Sequence, residues 1–173
     1  MSRICDIYDI IDAVAPFSSQ LSFDNSGLIV GDRATVVTRA LICLDITQAV
    51  VEEAAKINAN LIISHHPVIF TPVKSFSGRD IAYQLAKRDI AALCCHTNLD
   101  ISPICGVNIA LGSRLGLRNL RTEDVFDKDC VLFSGELDHE LSPLQLAEQV
   151  KSRLGAEYVQ LIDAGRPVKK VFI

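Results

Sequence analysis

The stretch LIISHHP, residues Leu61 to Pro67, is the strongest indication of the fold, because an apolar run of strand length ends there in two adjacent histidines and a proline. A second apolar run, Ile90 to Cys95, ends in the same way in HTNLD, residues His96 to Asp100. The segment between the two runs is long enough for a crossover helix. The carboxyl ends of parallel strands meet at one edge of a sheet, so the pattern predicts that these polar side chains converge there.

The rest of the chain alternates between the two hydrophobic periods, which predicts an α/β fold with a parallel sheet, flanking helices and right-handed crossovers. We expect residues 118–129, which are charged and follow neither period, to form a connecting loop. The predicted helices are Arg3–Ala15, Gln48–Asn58, Arg79–Arg88, Gly106–Leu115 and Leu144–Leu154, the last preceded by Ser142-Pro143 and ended by Gly155. The predicted strands are Leu28–Val30, Val36–Leu44, Leu61–Ser64, Ile90–Cys95, Val131–Leu137, Glu157–Ile162 and Val168–Ile173.

This order divides the chain into a main α/β domain with the predicted metal site, residues 1–117, and the start of a second α/β segment, residues 118–173. The sequence ends on Val171-Phe172-Ile173, in the middle of a strand pattern. We therefore expect the chain to be a fragment of a longer protein in which the second segment continues.

The composition excludes several classes of protein. With 49% hydrophobic residues the chain has ample material for a core, and no apolar stretch reaches the roughly 18 residues that a membrane span requires. The formal net charge is -4 without a basic cluster, which argues against general binding to nucleic acid. The acidic N-terminus does not resemble a signal peptide. We expect a cytoplasmic protein.

Six cysteines are present, and none are spaced as CxxC. Four of them lie in or beside apolar runs, which favours reduced, buried thiols over a disulfide framework. A zinc-ligand role for Cys95, next to His96, stays open, although the adjacent pair Cys94-Cys95 has no known ligand spacing.

His65, His66 and Asp100 are the predicted metal ligands, with His96 as a ligand or as a partner that orients one. Adjacent residues of a strand point to opposite faces, and Pro67 favours extended geometry at His66, so we expect the two rings to diverge. Diverging rings favour two ions roughly 3.5–4 Å apart, each held by one imidazole. Imidazole with carboxylate suits zinc, manganese, iron or nickel. The alternative is that these histidines are ordinary polar residues at strand ends.

Three further polar residues are candidates for the surroundings of this site. Asp24 and Asn25 belong to the segment DNSG, whose composition favours a plain turn, although both could hold a substrate or an imidazole. Asp45 follows the predicted strand Val36–Leu44 and is a candidate partner for a ligand. The pair His139-Glu140 falls in a predicted connection between a strand and a helix, and we interpret it as surface.

Several of these segments together resemble the GTP cyclohydrolase 1 type 2 homologues, also called the Nif-three-like proteins. The resemblance covers nearly the whole chain and rests on FDNSGL at 23–28, Asp45, SHHP at 64–67, HTNLD at 96–100 and GVN at 106–108. It implies a Nif-three-like α/β fold with a dinuclear centre and carries metal ligation onto His65, His66 and Asp100. The later histidine and glutamate that complete the family's centre have no counterpart in this sequence.

The resemblance also implies a metal-dependent hydrolase that acts on the purine ring of a nucleotide, and a ring-shaped hexamer. The chain has no GxxxxGK[ST] phosphate loop, so a nucleotide would be held by other means. A second hypothesis is a non-enzymatic module that binds metal or a protein partner, or that has a regulatory role. A third is that the chain is an inactive fragment.

Overall fold

The structure is a computed structural model that describes residues 1–123 and 132–173. Two compact units are formed, Met1–Asp100 and Ile101–Ile173. The sequence pattern instead places a boundary after residue 117. The helix at 107–114 packs on the sheet that follows it in sequence, which groups it with the second unit. The division of the whole protein into domains stays a prediction.

The first unit contains four strands and four α-helices, with one short 3-10 turn at Phe17–Ser19. In chain order these elements are α1 (Ile4–Val14), β1 (Gly27–Val30), β2 (Ala40–Cys43), α2 (Gln48–Lys56), β3 (Leu61–Ser64), α3 (Ile81–Lys87), β4 (Ala91–Cys94) and α4 (Thr97–Asp100).

One four-stranded sheet organises this unit, in the order β1-β4-β3-β2. Strands β2, β3 and β4 are parallel and in continuous register, and β1 is antiparallel to β4. The predicted parallel α/β sheet is therefore confirmed. The carboxyl ends of β3 and β4 lie side by side, since Ser64 is the register partner of Cys94.

Both faces of the sheet are covered, because successive side chains of a strand point to opposite sides. Ile62 and Ala92 pack with Val51 of α2 and Leu85 of α3 on one face. Leu61 and Leu93 pack on the other face in the cluster that contains Ile4 of α1 and Phe17. Burial on both sides explains why β3 and β4 appear in the sequence as continuous apolar runs rather than as alternating ones.

The second unit pairs two helices with a three-stranded antiparallel sheet. The elements are α5 (Val107–Arg114), β5 (Arg118–Glu123), β6 (Leu132–Leu141), α6 (Pro143–Leu154) and β7 (Val168–Phe172). The strand order in the sheet is β5-β6-β7. The core of the unit contains the buried Leu115, Leu117, Leu137 and Leu141.

The predicted limits of α6 are confirmed, because local chemistry sets both of its ends. The Ser142 hydroxyl accepts from the backbone N–H of Gln145, and Oε1 of Gln145 accepts from the backbone N–H of Ser142. The two bonds together form a capping box. Pro143 occupies the first helical position, where its missing N–H costs nothing. Gly155 ends the helix in the left-handed region at φ 65°.

Three sequence predictions are corrected by the described residues. The strand predicted at Val36–Leu44 is shorter, covering only Ala40–Cys43. The predicted loop at 118–129 begins with β5, a largely exposed edge strand that pairs with β6 through its backbone and so needs no hydrophobic period. The segment Glu157–Ile162 is rich in strand-forming residues but is not a strand. It pairs with no strand in the described part of the chain, and Ile162 remains 98% exposed.

Two predictions extend beyond the described residues. The remainder of the predicted loop, 124–129, and the first residue of the strand predicted from Val131 lie outside them. Within residues 1–123 and 132–173, no helix combines the length and the apolar character needed to cross a membrane.

Glu123 connects the three strands of the second unit, and we expect its charge to stabilise the sheet. Its carboxylate accepts from Lys170 Nζ of β7 at 2.7 Å, from the Ser134 hydroxyl of β6 and from Arg121 Nε at 3.1 Å. These three groups, Lys170 foremost, lower its pKa to about 2 from an ordinary value of 4.5.

A depressed folded-state pKa stabilises the fold above the unfolded value and loses that effect as the pH falls through the folded one. Glu123→Gln should therefore lower the thermal midpoint at pH 7, and the difference from wild type should shrink between pH 4.5 and pH 2. Thermal unfolding followed by circular dichroism measures both effects, with the exposed Glu157→Gln as the matched control. A difference that is constant across this pH range would contradict the prediction.

Candidate metal centre

Three histidines converge where β3 and β4 end. His65 and His66 follow β3 directly, and His96 lies between β4 and the helical turn α4. One ring nitrogen from each of the three lies within 4.8 Å of the other two. In the described part of the chain this is the one group of metal-ligating side chains that meets this distance. The convergence follows from the parallel register of the two strands.

Each of the three imidazoles is anchored through Nδ1. His65 Nδ1 lies 2.9 Å from the carbonyl oxygen of Cys95, which can only accept, so this nitrogen carries the proton. His66 Nδ1 lies 2.7 Å from Asp45 Oδ1, and His96 Nδ1 lies 2.8 Å from Asp24 Oδ1. With Nδ1 donating in every ring, Nε2 is left as the nitrogen that can bind a ligand. Such outer partners are the usual way in which ligating histidines are oriented.

The spacing between His65 and Asp100 fits a shared cation. His65 Nε2 lies 3.5 Å from Asp100 Oδ1. In the neutral ring that donates through Nδ1, an electron pair on Nε2 faces a carboxylate oxygen, and the two repel unless a proton or a cation lies between them. Two ligand atoms each about 2.1 Å from one ion in tetrahedral geometry are roughly 3.4 Å apart. The donor set of imidazole and carboxylate suits zinc and related divalent ions.

The rings of His65 and His66 do not diverge as the strand pattern predicts. Their centroids are 4.9 Å apart at an interplanar angle of 48°. The consecutive amides of both residues donate to the same neighbouring segment, at the carbonyls of Cys43 and Leu44, whereas successive amides of a regular strand point to opposite sides. The backbone has therefore left strand geometry after Ser64, and the alternation of side chains no longer applies.

Asp24 is the most completely bonded side chain near the site. Its carboxylate is fully buried and accepts from His96 Nδ1, the Ser26 hydroxyl, the backbone amides of Asn25 and Thr97, and the Thr97 hydroxyl. Burial alone would raise its pKa, but the hydrogen bonds outweigh burial and hold the pKa well below its usual range. Asp24 therefore stays ionised and joins the turn at 24–26 to α4, which carries Asp100.

The other candidates have separate positions. Asp45 contacts His66, as a residue that orients a ligand would. The side-chain amide of Asn25 donates to the carbonyl of Ile69 at 2.7 Å. Thr97 and Ser26 were not singled out as site residues by the sequence. The bond from the Thr97 amide to Asp24 and the bond from the His96 amide to the Ser26 hydroxyl each span about seventy positions, so no local spacing could have indicated them.

Two of the cysteines around the site, Cys43 and Cys94, are thiols with a raised pKa. Cys94 donates to the carbonyl of His65 at 3.1 Å, and burial, together with Cys95 and Asp24, raises its pKa to about 12. Burial likewise raises the pKa of Cys43. None of the five described cysteines forms a disulfide, and the three-histidine cluster contains no cysteine. Cys95 contributes its backbone carbonyl to His65.

His139 and Glu140 lie in β6 rather than in a connection between a strand and a helix. Both are exposed, in agreement with their interpretation as surface residues. The long antiparallel pairing of β6 with β7 extends the strand to Leu141, past the end that the apolar pattern indicates.

A parallel sheet with an anchored histidine cluster at its carboxyl edge defines an α/β protein with a candidate metal site. The Duf34/NIF3 (NGG1p interacting factor 3) family matches residues 2–173, and the chain belongs to this family. The resemblance stated from the sequence motifs is thereby confirmed.

Relatives with the name GTP cyclohydrolase 1 type 2 homolog occur in several bacteria. The protein from Staphylococcus aureus (strain COL) is 41% identical over 133 residues, which cover 73% of this chain and 36% of the relative. The protein from Clostridium perfringens (strain 13 / Type A) is 34% identical over 180 residues, covering 99% of this chain and 68% of the relative. The matched part of the chain thus covers little more than a third of the length of the Staphylococcus aureus (strain COL) relative.

Solved structures agree on the fold. The crystal structure of a hypothetical protein from Staphylococcus aureus superposes on this chain with a TM-score of 0.80 at 29% identity. The superposition covers 98% of this chain and 70% of the Staphylococcus aureus protein. The predicted Nif-three-like α/β architecture is therefore confirmed.

Proposed function

We propose that this chain carries part of the metal centre of a hydrolase that acts on the ring of a purine nucleotide. The observation that carries the proposal is the convergence of three imidazoles whose Nδ1 atoms are all occupied by hydrogen-bond acceptors. The substrate class comes from the name of the relatives, GTP cyclohydrolase 1 type 2 homolog.

We assign metal ligation to His65, His66 and Asp100, with two divalent ions in the complete centre. When bound, such ions supply Lewis acidity and make hydroxide available near neutral pH. His96, one of the three clustered histidines, is either a further ligand or a group that meets the substrate. Asp45 and Asp24 hold the rings of His66 and His96 in orientation. Zinc, manganese, iron and nickel all suit this donor set.

The protein loaded with zinc or manganese should consume GTP by hydrolytic opening of the purine ring, and the metal-free protein should not. Chromatography of the nucleotide with absorbance detection follows the loss of the intact ring. His65→Ala should abolish turnover, and the exposed His139→Ala, in the other unit, should leave it unchanged. Stoichiometric metal binding without turnover would overturn the hydrolase and favour the second candidate.

That second candidate is a non-enzymatic module that binds metal and a protein partner. The description of the family as NGG1p interacting factor 3 refers to a protein interaction and is the observation that favours this function. Both candidates are compatible with a cytoplasmic protein, for which the protonated thiols of Cys43 and Cys94 are support.

We also propose that the protein assembles into a homo-oligomer, as a ring-shaped hexamer. Large apolar side chains are exposed on α1 and along β2, which lies at the edge of its sheet. They include Ile10 of α1, Ile42 of β2 and Leu44, which directly follows β2. Exposed apolar side chains along a sheet edge favour association. Light scattering coupled to size-exclusion chromatography tests the assembly, and Ile42→Lys should weaken it.

A further inference from the structure

Two exposed phenylalanines stand next to the histidine cluster in the first unit. Phe23 and Phe70 are 55% and 48% exposed, and their ring centroids are 6.4 Å apart at an interplanar angle of 57°. Phe70 in turn meets the ring of His96 edge to face, with centroids 6.2 Å apart. His96 lies 5.2 Å from His65. The four rings therefore form one continuous series that leads from solvent to the candidate metal site.

The chain segments that carry the two phenylalanines are joined by the polar network beside them. Phe23 precedes Asp24, whose carboxylate is fixed by its hydrogen bonds to the residues around it. Phe70 follows Ile69, whose carbonyl accepts from the side-chain amide of Asn25 at 2.7 Å. This bond connects the turn at 23–26 to the long connection between β3 and α3. The exposed rings are thus positioned by the fold, which gives Asn25 a role that its turn chemistry does not explain.

We propose that Phe23 and Phe70 form a stacking site for a planar heteroaromatic ring, such as a purine base, that reaches the histidine cluster. The proposal rests on the function proposed above and adds the residues that hold the ring. Two aromatic faces set at an angle can stack one side of a flat ring and cover its edge. The polar edge of a heterocycle, unlike an aliphatic chain, would find a hydrogen-bonding nitrogen at Nε2 of His96, whose Nδ1 is occupied by Asp24. Base stacking on aromatic side chains tolerates different bases because each base has a π-face.

The test compares the zinc-loaded chain with three variants. Phe70→Ala removes the central ring, Phe70→Tyr retains it, and Phe76→Ala removes a phenylalanine of the same connection that is 54% exposed. The probes are guanosine, adenosine, GTP and inorganic tripolyphosphate, which lacks the ring. Isothermal titration calorimetry gives the dissociation constants, and elemental analysis gives the metal content of each variant.

We expect Phe70→Ala to weaken the binding of guanosine, adenosine and GTP by about 10-fold or more, with the metal content unchanged. Phe70→Tyr and Phe76→Ala should bind these probes as the wild type does, and tripolyphosphate should not distinguish any of the four proteins. Equal affinity of Phe70→Ala and Phe76→Ala for guanosine would overturn the stacking site, as would the absence of nucleoside binding to the wild type at millimolar concentration.

These outcomes are independent of the hydrolase itself. Nucleoside binding that depends on Phe70, without consumption of GTP, would support the stacking site and overturn the hydrolase. Consumption of GTP that is equal in wild type and Phe70→Ala, with equal dissociation constants for the nucleosides, would support the hydrolase and overturn the stacking site.

Discussion

Replacing His65 with alanine should remove most of the divalent metal from the protein while leaving its fold intact. His65 combines a fixed Nδ1, which donates to the carbonyl of Cys95, with an Nε2 that lies 3.5 Å from Asp100. Its loss takes one imidazole from the cluster and leaves Asp100 without its nearest ligand partner. Because changes even to outer partners of a ligand cost 10- to 100-fold in affinity, we expect loss of a ligand to cost about 100-fold or more.

The fold should survive because the side chain of His65 lies after β3 rather than in the apolar core. The core of this region is supplied by Leu61, Ile62 and Leu93. Far-UV circular dichroism and the thermal midpoint of the metal-free protein should therefore change little. His66→Ala, at a more exposed position, provides a second test should the first variant prove unstable.

Elemental analysis after equilibration with zinc or manganese measures the metal content, and calorimetric titration measures the affinity. The matched control is His139→Ala, the one remaining histidine of the chain and an exposed residue. Metal content that is equal in wild type, His65→Ala and His66→Ala would rule out the assignment of both histidines as ligands.

The central sheet could be predicted because its strands are buried on both sides. Leu61–Ser64 and Ala91–Cys94 appear in the sequence as continuous apolar runs that end in polar clusters. A segment with helical periodicity precedes each of them and connects it to the previous strand. Edge elements lack such signals. The strand Arg118–Glu123 is held by its neighbour's backbone, and only Leu120 of its side chains packs into the core. Glu157–Ile162 shows the converse, because its strand-forming residues pair with no strand in the part of the chain that the structure describes.

The site was predictable in its position and less so in its internal geometry. Parallel register explains why His65 and His96 meet, and both strand ends are visible in the sequence. The orientation of the imidazole rings could not be predicted, because it depends on how the backbone turns after Ser64. The contact of Asp24 with His96 joins residues 72 positions apart, and the sequence offers it only as the alternative to a plain turn at DNSG.

The second large effect is expected at Asp24, where Asp24→Asn should destabilise the protein and weaken metal binding together. The two carboxylate oxygens have distinct partners. Oδ1 accepts from the Asn25 amide and from His96 Nδ1, while Oδ2 accepts from the Thr97 amide and the Ser26 hydroxyl. A backbone N–H cannot become an acceptor. Whichever way an asparagine amide is turned, its NH₂ therefore faces one fixed donor.

The expected cost is about 3 kcal/mol in the free energy of unfolding, since a buried network loses its charge and gains a donor without a partner. Metal affinity should fall about 10- to 100-fold, because His96 loses the group that orients its ring and α4 loses its anchor beside Asp100. Urea denaturation of the metal-free protein measures the first quantity, and calorimetric titration with zinc measures the second.

Asp9→Asn is the matched control, because it makes the same chemical change in the same unit. The side chain of Asp9 is 72% exposed and pairs with Arg33 at 3.3 Å, and such surface pairs contribute about 1 kcal/mol or less. Asp24→Asn should thus be clearly the less stable of the two. Stability and zinc affinity equal to those of the control would mean that the Asp24 network neither supports the fold nor orients His96. The turn at 24–26 would then be only a turn, as its composition indicates.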